Sequence, residues 1–212
     1  EKRLSYIGSI NSRLDYRNGK IYWTEIVPGL RWTHENYSVL KCYDLKEGRI
    51  KSITPRQRYL SPSVDKNGKV AAVSRTTVDG KNQLVLVELE DGKELFAFQV
   101  PGNAFIKELT FTDQDEVVAV AVTDAGISLL QFTPSSGQWE ELLSTASVNI
   151  TSPVWKDGRI YFESGANGTN NLYCLDLADH QVYRLTCARF GAFDPSFTHS
   201  GNRLFFADYQ AN

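Results

Sequence analysis

One pattern is written repeatedly along this chain of 212 residues. A small residue or proline opens a short strand, a glycine-bearing turn follows, and a run of β-branched and aromatic residues completes the unit. Segments 61–70, 153–162 and 194–206 are the clearest copies, and 14–23 is a more worn one. The turn glycines set the period. Gly19 and Gly68 lie 49 residues apart, and Gly158 and Gly201 lie 43 apart. The 90 residues from Gly68 to Gly158 span two periods, with one degenerate copy at 109–118. Repeats of ~40–50 residues built only of strands are the signature of β-propeller blades. The repeat therefore predicts an all-β chain, a β-propeller of four-stranded antiparallel blades. About four complete blades are expected, over approximately 12–60, 61–107, 108–151 and 152–193. Partial terminal strands are expected in 1–11 and 194–212, all within one propeller domain or part of one.

Each unit reads as four strands. Alternation is visible in Leu84-Val85-Leu86-Val87-Glu88-Leu89, whereas 116–122 is a continuous apolar run. A continuous run suits a strand covered on both faces, as neighbouring blades would cover it. First-to-second and third-to-fourth connections are short and glycine-bearing, for example Lys66-Asn67-Gly68 and Lys156-Asp157-Gly158. Such hairpin turns need positive φ. A meander reverses direction at every strand, so these tight turns share one face. The longer second-to-third loops and the crossings between blades share the other. Loop chemistry on a rigid scaffold is where function concentrates. The inner strands are expected to bury Leu14, Val64, Phe111, Val154 and Phe197. Second strands are expected to carry Tyr22, Val70, Val118, Ile160 and Leu204. Residues 3–10 are expected to form a strand that shares a blade with 204–208 if the ring closes.

Composition excludes several classes. Net charge is −2, so nothing favours nucleic acid or an anionic membrane surface. No apolar run approaches the ~20 residues of a membrane span, and direct membrane insertion is not expected. Met is absent and residue 1 is Glu, so the chain is expected to be a piece of a longer polypeptide; no targeting signal is read in it. Cys42 and Cys174 sit at equivalent places in different units, too far apart to bridge, and read with Cys187 as small apolar strand residues.

Asp194-Pro195-Ser196-Phe197-Thr198-His199-Ser200-Gly201-Asn202-Arg203-Leu204-Phe205-Phe206 resembles the repeat of TolB-like propellers, the WD40-like PD40 family. The third strands 39–45 and 171–177, each followed by a fourth strand ending in Ile53-Thr54 or Leu185-Thr186, resemble that family's third and fourth strands. The resemblance covers essentially the whole chain. It implies a bacterial envelope or exported protein, with the periplasm the expected location. It also implies a functionally broad group: protein-binding propellers, propeller caps of serine peptidases, and a few sugar-acting enzymes.

Catalytic signals are weak. No Gly-x-Ser-x-Gly nucleophile elbow occurs. His34, His180 and His199 fall on different predicted faces, and no His/Cys/carboxylate spacing matches a zinc site. No catalytic residue, metal or cofactor is expected. Candidate binding residues lie on the loop-rich face. Arg31, Trp32, His34 and Glu35 belong to the long loop of the first unit. Arg58, Tyr59, Lys107, Arg189, Phe190 and Phe193 belong to crossings. Trp and Arg are the types that anchor interfaces. Cations and aromatics around a channel mouth would suit an acidic peptide end or a sugar acid. The leading expectation is a non-catalytic propeller that binds a peptide or partner domain, including envelope components. The alternative is the gating propeller of a larger enzyme, a serine peptidase of the prolyl oligopeptidase type or, less favoured, a sugar-acting enzyme.

Overall fold

The computed structural model describes residues 4–8, 13–29, 36–145, 148–198, 201 and 203–209, with Asn36 described by its backbone alone. The regular structure of the described residues is strand, apart from one 3-10 turn at Pro101–Asn103. β1 (Asp15–Arg17), β2 (Lys20–Pro28), β3 (Asn36–Asp44) and β4 (Arg49–Ser52) form one four-stranded antiparallel sheet. β5 (Tyr59–Val64), β6 (Val70–Thr76), β7 (Asn82–Glu88) and β8 (Glu94–Gln99) form the second. β9 (Phe105–Phe111), β10 (Val117–Thr123), β11 (Gly126–Thr133) and β12 (Gln138–Thr145) form the third. β13 (Ile150–Lys156), β14 (Arg159–Ser164), β15 (Asn171–Asp176) and β16 (Gln181–Arg184) form the fourth. A two-stranded sheet of β17 (Ala192–Phe197) and β18 (Leu204–Asp208) follows. Each sheet is a sequential meander, the blade of a β-propeller. No helix among the described residues is long and apolar enough to cross a membrane.

The chain divides into two compact units, Glu1–Phe111 and Thr112–Asn212. In the first, Tyr22, Leu40, Val64, Val73, Val85 and Val87 share one core cluster. In the second, Val118, Val120, Leu129, Ile150, Ile160, Phe162 and Leu175 share another. Burying a side chain of this size contributes roughly 1.5–3 kcal/mol. Burial falls toward the fourth strands, so that β4 and β16 are exposed along their whole length. The hairpins take the turns their sequence asks for. Asn18 and Gly19 have φ of 51° and 77°, and Asp157 and Gly158 have 49° and 76°. Positive φ at both central positions matches the right-handed twist of the flanking strands.

Side chains tie the first strands of neighbouring blades together within the first unit. The Val64 amide donates to Asp15 Oδ2 at 2.5 Å, and the Phe111 amide donates to Ser63 Oγ at 3.0 Å. The Ser61 hydroxyl donates to the Lys107 carbonyl at 2.5 Å. Burial pushes the Asp15 carboxyl above its ordinary value, against the Val64 amide, the Arg17 charge and the Ser63 hydroxyl, which lower it.

The structure corrects four expectations. The prolines of the repeat lie inside the first strands rather than opening them. Ser61, Ser152 and Asp194, each preceding a proline, have φ of 47°, 55° and 53°. The ladder shifts register at each of these places. A bulge frees the proline from donating to the ladder, which is why it is tolerated there. The first strands consequently begin earlier than expected, and Tyr59 and Leu60 belong to β5 rather than to a crossing. Leu14 is exposed and lies before β1, because the inward-facing residue is Asp15; a shift of one residue reverses the face. Val154 and Phe197 are half-buried rather than buried, whereas Val70 and Leu204 stand on second strands as expected. Finally, residues 4–8 form no strand. Leu4, Tyr6 and Ile7 are exposed, and the Gly8 amide is held by a side chain, Glu25 Oε2, at 3.1 Å. The other positions of that expected strand, Arg3, Ser9 and Ile10, lie outside the described residues.

Candidate ligand pocket

In the second unit, the end of β14 and the opening of β17 meet around a buried carboxylate. Glu163 is 6% exposed. Its Oε1 accepts the Asp194 amide at 2.7 Å. Its Oε2 accepts the Thr151 hydroxyl at 3.2 Å and Asn170 Nδ2 at 3.1 Å. A buried charge is tolerable only when hydrogen bonds replace its hydration. Here three neutral donors do so, and no cation joins them among the described residues.

Asn170 is the hinge of the arrangement. Its side chain also donates to the Ala192 carbonyl at 3.0 Å, and its own carbonyl accepts the Ala192 amide at 2.9 Å. The crossing is thereby pinned to the start of β15. Gly191 follows, with φ of 143°. A Cβ there would run into the Phe193 ring, so glycine lets that ring lie against the backbone. The Tyr209 amide donates to the Gly191 carbonyl at 3.1 Å. This sets the Tyr209 ring edge-on to Phe193, centroids 5.3 Å apart and planes at 87°. Such edge-to-face pairs are favoured by the ring quadrupoles. Phe190 is half exposed, and the Arg189 guanidinium lies 5.1 Å from its ring centroid.

These groups line an open pocket of about 500 Å³, with Ser152, Glu163 and Asp194 as its polar lining and Phe190, Phe193, Ala207 and Tyr209 as its apolar lining. It lies at the end of the strands that carries the second-to-third loop and the crossing. Phe190 and Phe193 were legible as candidates because a crossing rich in aromatics stands out. Glu163 was not, since a lone carboxylate late in a strand carries no pattern. Asp194 stands in the sequence only as the first residue of a repeat copy.

The other candidates are placed differently. Arg31, Trp32, His34 and Glu35 lie outside the described residues. Tyr59 is 1% exposed and belongs to the core of the first unit. Its hydroxyl donates to Glu94 Oε2 at 3.1 Å, and Arg75 grips the same carboxylate through two nitrogens, at 2.6 and 3.1 Å. Burial and the Glu94 charge push the Tyr59 phenol up to about 12. Tyr59 is therefore a strut of its blade and offers no surface to a ligand. Arg58 beside it is half-buried, with no hydrogen-bond or ion-pair partner among the described residues. Lys107 is half-buried on β9, and its carbonyl takes the Ser61 hydroxyl. A cavity of about 470 Å³ in the first unit, at the tight-turn end, is lined by Lys20, Lys51, Lys69, Glu88 and Glu90 around Tyr22 and Cys42. Desolvation pushes the Cys42 thiol up, so it is not an activated nucleophile. Among the described residues no group of three His, Cys, Asp or Glu side chains is placed to hold a metal ion.

The blades and their connections define the class of protein: a β-propeller of four-stranded antiparallel blades. No protein-family model and no curated protein sequence matches the chain. Among solved structures it is similar to TolB from Acinetobacter baumannii, with a TM-score of 0.72 at 14% identity over 94% of this chain and 49% of that one. A putative TolB from Agrobacterium tumefaciens gives 0.66 at 16% identity, over 84% of this chain and 66% of that one. The Pyrococcus horikoshii acylaminoacyl peptidase gives 0.61 at 12% identity, over 93% of this chain and 35% of that one. The chain thus spans about half the length of the first TolB and about a third of the peptidase. At these identities the likeness establishes the fold alone.

Proposed function

We propose that this chain is a non-catalytic binding propeller that recognises a peptide or partner domain at the crossing end of its blades. The supporting observation is the pocket lined by exposed Phe190 and half-buried Phe193, whose rings stand beside the buried Ser152 and Glu163. Aromatic bodies with a few placed polar groups are how recognition sites are made. The resemblance in the repeat supports an envelope or exported setting, with the periplasm as the location and envelope components as partners. The test is selection of peptides from a displayed library against the chain, followed by the same measurement on Phe190→Ala and Phe193→Ala. Selected peptides should lose affinity at least about tenfold on one or both substitutions, the effect of an aromatic interface anchor. Recovery of no peptide, or unchanged affinity in both variants, overturns the reading. Arg58→Ala and Trp32→Ala measured beside them extend the test to the remaining candidates.

A second reading is favoured by the likeness to the acylaminoacyl peptidase: a propeller that gates a peptidase domain carried elsewhere in the same polypeptide. A fluorophosphonate probe applied to the whole polypeptide separates the two. Labelling of an active-site serine supports the gate, and an unlabelled protein supports the binding propeller.

A further inference from the structure

We propose that the pocket between β14 and β17 receives a cation, the guanidinium of an arginine side chain on a peptide partner. The inference rests on the binding reading above and names the chemistry of what is bound. Cations and aromatics of the crossings would suit an acidic peptide end or a sugar acid; the lining of this pocket has the opposite sign. Within the second unit the pocket presents two carboxylates and no cation. Glu163 is buried, and its three donors, the Asp194 amide, Thr151 and Asn170, are all neutral. The Asp194 carboxylate is exposed and has no hydrogen-bond or ion-pair partner among the described residues. Arg189, the nearest cation in sequence, pairs with neither carboxylate.

The aromatic lining completes the argument. A guanidinium is planar and weakly hydrated, and it stacks on ring faces while its fork donates to carboxylates. The Arg189 guanidinium already lies over the Phe190 ring at 5.1 Å, so that face accepts this group. Phe193 and Tyr209 supply further ring surface beside the two acids. A cation entering here meets the Glu163 carboxylate, held by neutral donors alone among the described residues, the Asp194 carboxylate, and the rings of Phe190, Phe193 and Tyr209. An anion would meet two carboxylates.

The probe is the peptide Ac-Gly-Arg-Gly-NH2, titrated into the ¹⁵N-labelled chain and followed at the amide resonances of Glu163 and Asp194. Its citrulline analogue keeps the shape and removes the charge, and Ac-Gly-Glu-Gly-NH2 reverses it. The arginine peptide should shift both amides in a saturable way. The citrulline peptide should bind roughly tenfold more weakly, and the glutamate peptide should leave both amides unmoved. Asp194→Asn should weaken the arginine peptide about fivefold. Asparagine tolerates the left-handed φ of 53° at this position, so the fold is kept. Glu163→Gln, the second variant, should also weaken it, with an unchanged spectrum outside the pocket showing that the fold is intact. Equal binding of the citrulline peptide, binding of the glutamate peptide, or no response to arginine overturns the proposal. If the library peptides depend on Phe190 and Phe193 but carry no basic residue, the binding reading stands and this inference alone falls.

Discussion

In the first blade Tyr22 stands opposite Cys42 across β2 and β3; in the fourth, Tyr161 stands opposite Cys174 across β14 and β15. Desolvation raises all four groups, the Tyr22 phenol to about 12. The likeness continues outward. The Leu40 amide donates to Thr54 Oγ1 at 3.0 Å, and the Leu172 amide to Thr186 Oγ1 at 2.9 Å. The carbonyls of the same two leucines each accept the amide of the residue before that threonine, at 2.8 Å in both blades. The inner ends diverge. Two residues beyond Tyr22 comes Thr24, fully buried; two beyond Tyr161 comes Glu163, buried and carrying a charge. β13 has a proline bulge at Ser152, whereas β1 has three residues and no register shift. The frame of these two blades is repeated in their third and fourth strands. Individual chemistry is placed where the second strand ends and the next first strand begins.

The strongest way to break the comparison is to truncate the shared leucine. Leu40 and Leu172 are both fully buried. Leu40→Ala and Leu172→Ala should each cost about 2–5 kcal/mol of unfolding free energy, measured by urea titration. Values differing by more than about 2 kcal/mol would show that the two blades do not share a frame. The next test removes the acceptor that closes it. Thr54→Val and Thr186→Val keep the shape and orphan the leucine amide, at a cost of about 1–3 kcal/mol. The cost should be larger at Thr54, which is buried, than at Thr186, which is half-buried and less desolvated. The reverse order would mean that the second bond of Thr186, to Asn171 Oδ1 at 3.0 Å, dominates.

What the sequence disclosed divides along the same line. The frame was legible because it depends on local rules: glycine where φ is positive, apolar runs where both faces are covered, and Leu-Thr where a fourth strand ends. Phe190 and Phe193 were legible because aromatics in a crossing have no strand period to hide in. The carboxylate was not, because Glu163 is polar at a position whose inward aim depends on the phase of β14. The bulges were misread as strand openings because proline normally excludes itself from a ladder. Only the observed φ values at Ser61, Ser152 and Asp194 show how it stays. Misplacing those strand starts by two or three residues also turned Tyr59 from a core strut into a loop candidate.

The smallest effect sharpens the comparison at the hairpins between third and fourth strands. Asp44 and Asp176 end β3 and β15, and each accepts amides of the turn that follows. Hydrogen bonds from the Glu47 and Lys46 amides, the Glu47 bond foremost, hold the Asp44 carboxyl below its ordinary 3.8 against desolvation. The Ala178 amide and the Arg159 guanidinium hold Asp176 below the same value. Both pKa values are lower folded than unfolded, so the folded state binds fewer protons than the unfolded one in the acid range. The stability they contribute is present above the unfolded value and is lost as pH falls through the folded values. Carboxyl ¹³C titration should find both midpoints below 3.8. The cations differ: Arg159 Nε is 2.8 Å from Asp176, whereas Lys20 Nζ is 3.9 Å from Asp44. Arg159→Gln should therefore raise the Asp176 midpoint visibly, and Lys20→Gln should move that of Asp44 less, because the turn amides hold it first. A larger shift at Asp44 would mean that charge, rather than the turn, sets the carboxylate in the first blade.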